Sequence, residues 1–79
     1  MKYVTIDHSR ESGPIIYAFD NEVEAYEYFE HELNKKNING INRRKDNPNI
    51  AFVNGWDIRI LDYDELTPFQ RKMVDENSL

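Results

Sequence analysis

Residues 50–61, IAFVNGWDIRIL, leave little choice of local structure. An Asn-Gly pair accepts left-handed backbone at both centres of a type I′ turn, whose twist matches its flanking strands. The flanks are β-branched, aromatic and broadly alternating, so Asn54-Gly55 is predicted to close a two-residue hairpin. Phe52, Trp56, Ile58 and Ile60 are expected to form its apolar face. A lone hairpin is marginal in water, so the rest of the chain has to cover that face.

The N-terminal third offers two more strands. KYVTIDH, residues 2–8, alternates Val4 and Ile6 with Thr5 and Asp7. SRESGP carries turn residues. IIYAF, residues 15–19, is apolar almost throughout, which predicts a central strand or one buried on both faces. A helix follows, with Asp20 or Asn21 as N-cap and an end near Lys36, where Asn37 stops it. Ala25, Tyr26, Phe29 and Leu33 share one stripe of that helix, and Tyr28 falls on the polar side. NINGINRRKDNPN is a loop with a short exposed strand around Ile38 to Arg43. Thr67-Pro68 opens a short second helix, with Thr as cap and Pro in the first turn. Phe69 and Met73 share its predicted inner face, near Leu66 or Val74. Residues 75–79 are expected to fray.

The chain therefore reads as one α+β domain over residues 1–79, in the order β-β-α-β-β-α. The sheet is largely antiparallel and packs against one main helix. Seventy-nine residues support only a small core, with little room for a deep cofactor pocket. No cofactor is expected. The absence of cysteine excludes disulfides and thiolate metal sites. No apolar run approaches a membrane span, and MKYVTIDHSR has no signal-peptide core, so a cytoplasmic location is expected.

Catalytic patterns are weak. Asp7, His8 and Ser9 are consecutive on a strand, so their side chains alternate between faces and form no triad. His8 and His31 lack zinc-site spacing. Asp62, Asp64 and Glu65 lack the glycine bend of a calcium loop and read as a solvated strand exit. No glycine-rich phosphate loop is present. These readings together predict a protein that is not an enzyme, with no metal site.

Charge patterning says more. The formal net charge is −5, which opposes long-range attraction to nucleic acid. Acids crowd Asp20 to Glu32, whereas Lys35 to Lys45 carries only basic charge. Acids of the first helical turn suit the helix dipole, and Glu32 has Lys35 and Lys36 at ion-pair spacing. Glu24, Glu27 and Glu30 form a like-charged row beside Tyr28. That row predicts a docking surface for a basic protein, with Tyr as an interface anchor. The alternative surface is Arg43, Arg44 and Lys45, a basic patch suited to phosphates, in a nucleic-acid-associated regulator. A third reading is an accessory subunit whose exposed hairpin edge joins a larger sheet.

IIYAFDNEVEAYEYFEHEL and IAFVNGWDIRIL together resemble the style of small early bacteriophage proteins that disable or redirect a host protein, anti-restriction and anti-CRISPR inhibitors among them. The resemblance implies action by occlusion in the host cytoplasm, in some cases by imitating the charge of DNA. It carries no functional residue across.

Overall fold

The computed structural model describes residues 1–10 and 13–77; the tip of the first predicted turn (Glu11, Ser12) and the end of the tail (Ser78, Leu79) lie outside the described residues. Five strands and two helices follow one another: β1 Lys2–His8, β2 Ile15–Phe19, α1 Glu22–Lys36, β3 Asn42–Arg43, β4 Ile50–Val53, β5 Trp56–Asp62 and α2 Pro68–Asn77. A single 3-10 turn, Tyr63–Glu65, links β5 to α2. The short third strand makes the order β-β-α-β-β-β-α.

All strands pair antiparallel in one sheet, in the order β2-β1-β5-β4-β3. The first strand is thus the partner of the last, with Lys2 opposite Asp62 and His8 opposite Trp56. An ion pair of 2.8 Å between Lys2 and Asp62 marks one end of that ladder. The hydrogen bond to Asp62 holds the Lys2 ammonium above its usual range.

Local chemistry sets the helix ends. Asn21 Oδ1 accepts from the backbone N–H groups of Val23 and Glu24, at 2.8 and 3.3 Å. Asn37 leaves the helical conformation and ends α1. At the start of α2, Thr67 and Gln70 cap reciprocally: Gln70 N–H donates to Thr67 Oγ1, and Thr67 N–H donates to Gln70 Oε1.

The main core lies between α1 and one sheet face. Val4 and Ile6 of β1, Ile58 and Ile60 of β5, and Ala51 and Val53 of β4 pack beneath Ala25, Phe29 and Leu33. The opposite face carries a smaller cluster of Tyr3, Leu61 and Leu66, closed by Ile16 and Val74. β1 therefore buries side chains on both faces, Tyr3 and Thr5 as well as Val4 and Ile6.

Three expectations are corrected. Asn54 and Gly55 do take the left-handed backbone of the predicted turn, at φ 47° and 82°. A two-residue turn, however, sets Val53 opposite Trp56 and Ala51 opposite Ile58. Phe52 then faces the other way, opposite Asp57, and is 40% exposed. In α2 it is Val74 that joins Leu66, while Phe69 points to solvent. The third correction is β2, which is an edge strand rather than a central one. Ile15, Tyr17 and Ala18 are exposed along it. At the tail α2 runs through Asn77, and the rest of the segment predicted to fray, Ser78 and Leu79, lies outside the described residues.

Candidate functional site

α1 lies across the sheet, so its flanks meet different strands and its back faces solvent. Tyr26 lies on the flank toward β4, where its hydroxyl meets Asn49 Oδ1 at 3.3 Å. Glu30 follows one turn later and receives two bonds from Arg43 of β3, at 2.9 and 2.6 Å. This fork holds the Arg43 guanidinium above its usual range. The acidic row and the basic patch are therefore partly joined to each other.

The opposite flank meets β2. Tyr28 is half-buried, with its ring edge-on to Tyr17 at 5.0 Å and tilted against Phe19 at 5.4 Å. Burial, then hydrogen bonds with Glu32 and Tyr17, push its hydroxyl well above the usual tyrosine range. Its predicted place as an exposed docking anchor is corrected: the ring lengthens the core over the sheet edge. Tyr28, Glu32 and Lys36 stand four apart and form one row along the helix.

Glu32 is the buried charge of this row, only 6% exposed. Burial raises its carboxyl pKa, but hydrogen bonds from Lys36 and Tyr28 outweigh that and leave it below the ordinary range. Lys36 also lies over the Trp56 ring, 4.6 Å from its centroid. Trp56 in turn meets His8 edge-on at 4.5 Å. The sequence pairs Glu32 with lysine but gives no reason for its burial. The four-residue spacing of Tyr28, Glu32 and Lys36 is the signal that could have found it.

The solvent side of α1 keeps Glu24 and Glu27 exposed, with no counter-ion among the described residues. Glu27 borders an open hollow of about 680 Å³ that also touches Val23, Tyr26, Glu30 and His31. Val23 is 64% exposed there, an apolar group beside carboxylates. Of the predicted acidic site, the structure leaves Glu24 and Glu27 available, binds Glu30 to Arg43 and packs Tyr28.

The alternative basic patch is similarly divided. Arg44 forks onto Asp46 at 3.0 and 2.6 Å. With Arg43 held by Glu30, Lys45 is the member of the trio without an acidic partner among the described residues.

Around Asp7-His8-Ser9 the side chains do not converge. Asp7 lies opposite Asp57 on the face away from α1, while His8 lies on the α1 face against Trp56. His8 Nδ1 accepts from the Arg10 backbone N–H at 3.0 Å. Arg59 forks onto Asp57, at 2.9 and 3.1 Å, and lines a small polar cleft with Asp7 and Gln70. No group of three or more His, Asp or Glu among the described residues is placed to hold a metal ion. No helix of the described residues is long and apolar enough to cross a membrane. No protein-family model, curated protein or solved structure matches this chain.

Proposed function

We propose that this protein is a stoichiometric binding module that docks a basic protein surface on the solvent side of α1. The observation that carries this reading is the contrast among its glutamates. Glu30 and Glu32 are satisfied within the chain, whereas Glu24 and Glu27 stand exposed and have no ion-pair partner among the described residues. A like-charged pair one turn apart costs a few tenths of a kcal/mol in an isolated helix, and a cationic partner reverses the sign of that term. Val23 and the adjoining hollow add apolar area beside the charge, which electrostatics alone does not supply.

The partner class is a protein whose basic surface ordinarily meets nucleic acid, covered here by carboxylates in the manner of a charge mimic. This agrees with the resemblance to phage inhibitors, which act by occlusion in the host cytoplasm. Direct nucleic-acid binding is the less favoured reading, because Arg43 and Arg44 are engaged by carboxylates of the same chain.

The test is affinity capture from a bacterial lysate, with mass spectrometry, using wild type and Glu24→Lys/Glu27→Lys. Both positions are exposed, so the double variant is expected to fold, melting slightly below wild type because a lysine at position 24 opposes the helix dipole by about 0.3–1 kcal/mol. Capture is expected to be lost in that variant and to weaken as salt rises. Equal capture by both proteins would sink the acidic-face reading.

A further inference from the structure

β2 has the sequence of an interior strand and the position of an edge strand. IIYAF contains no charged residue and no proline, and its register against β1 advances without a bulge. Edge strands are normally blunted by charge, proline, bulges or shortness. The other edge follows that rule: β3 has two residues, and one of them is Arg43. β2 follows none of it. Ile15 is 52% exposed and Tyr17 41% exposed. Along its free side, alternate residues turn backbone N–H and C=O groups away from β1.

We propose that β2 is a dimerisation edge, pairing antiparallel with β2 of a second copy about a two-fold axis at Tyr17. This proposal does not depend on the acidic-face reading. The register follows from the strand itself. Centring on Tyr17 sets Ile15 opposite Phe19 of the second copy, and Tyr17 opposite its own counterpart. These side chains share the α1 face, where aromatic and β-branched cross-strand pairs stabilise a sheet. On the other face Ile16 meets Ala18, large against small. The strand complements itself on both faces, as an isologous interface requires.

Charge is compatible with this arrangement. Each copy carries −5, which opposes self-association, so the junction must add no like-charge contact of its own. The uncharged β2 meets that condition. The antiparallel sense also sets Asp20 of each copy at opposite ends of the junction, beside Pro14 of the other. Tyr28 backs Tyr17 from α1, so each copy brings a prepacked pair of rings to the axis. The product is a continuous ten-stranded sheet. A two-fold axis perpendicular to that sheet leaves both α1 helices on the same side. The junction spans five residues per copy, small beside the roughly 800 Å² per partner of a standard interface. Association is therefore expected to be weak, micromolar or weaker.

Sedimentation equilibrium of the full chain, from about 1 to about 500 μM, tests this. The average mass should rise from one copy toward two across that range. Ile15→Lys places a charge on the exposed junction and should stay monomeric throughout, with an unchanged far-UV circular dichroism spectrum. Because the chain has no cysteine, Tyr17→Cys gives one thiol per copy at the axis. A short bismaleimide should link it into a dimer, while Phe52→Cys, on the open sheet face, should remain unlinked. A wild type that stays monomeric at the highest concentration overturns the proposal and leaves the edge to a strand of another protein. So does a dimer that survives Ile15→Lys, or a Tyr17→Cys protein that sediments as a dimer yet stays unlinked. Should Ile15→Lys unfold, the wild-type mass and the two cysteine variants decide the matter.

Discussion

Arg43 on β3 and Glu30 on α1, thirteen residues apart, meet through two charge-assisted bonds of 2.9 and 2.6 Å. The contact fastens the helix to the far edge of the sheet. It also removes Glu30 from the acidic row and Arg43 from the basic patch, so one pair of side chains reduces two rival surfaces at once. Both groups are more than a third exposed, so water screens the pair, and its worth is about 0.2–1 kcal/mol. Urea melts of Arg43→Ala, Glu30→Ala and the double variant should show that coupling. The double variant should cost less than the sum of the singles by that amount.

Glu32 is expected to matter more. Glu32→Ala leaves the Lys36 ammonium and the Tyr28 hydroxyl without their buried acceptor. The expected loss is about 3 kcal/mol. Glu32→Gln retains an acceptor without the charge and should lose about 1–2 kcal/mol. Denaturant titration of the two variants measures the difference.

The same residue gives a pH signature. Its folded-state carboxyl lies below the ordinary value of 4.5, so the folded protein takes up that proton less readily than the unfolded chain. The stabilisation is complete above the unfolded value and drains away as pH falls through the folded one. Wild-type stability should therefore decline below about pH 4.5, and the gap to Glu32→Gln should narrow over that window. A gap that is constant from pH 7 to about pH 3 would show that Glu32 is not the group responsible.

Gly55 is constrained twice. Its backbone is left-handed at φ 82°, and a Cβ there would stand 3.3 Å from His8 Nε2. Gly55→Ala should cost about 1–2 kcal/mol from backbone strain alone. Amide chemical shifts should move at His8 and Ser9 as well as in the turn.

Phe29 is the largest fully buried side chain. Phe29→Ala is expected to cost about 3–5 kcal/mol. A domain of this size has a total stability of about 5–15 kcal/mol, so the variant should melt far below wild type in calorimetry.

What was legible in the chain follows the range of the forces involved. Asn21 and Thr67 cap with their immediate neighbours, and Asn54-Gly55 turns within four residues, so these features could be read directly. The side that Phe52 takes follows from facing geometry rather than alternation alone: a two-residue turn makes Val53, and not Phe52, share the side of Trp56. The edge position of β2 depends on β5 occupying the other side of β1, a choice made some forty residues downstream. The Arg43–Glu30 fork depends on that same strand order, because it needs β3 beside β4. The packing of Tyr28 is not legible in helical periodicity, which marks the stripe beneath the axis but not the flanks, where a long ring reaches down to Tyr17. The candidate site was thus half legible: Glu24 and Glu27 stand where periodicity puts them, while the fates of Glu30 and Tyr28 depended on tertiary contacts.

The central place of β1 has a consequence for biosynthesis. Residues 2–8 leave the ribosome before the strand that completes their ladder, which spans residues 56–62. Until then β1 has only β2 beside it, and α1 has only half a floor to cover. Closing so long a loop is entropically costly and comes late. β1 is therefore enclosed only after residues 56–62 have cleared the exit tunnel, and until then VTI of β1 and IIYAF of β2 are the apolar segments a chaperone would meet.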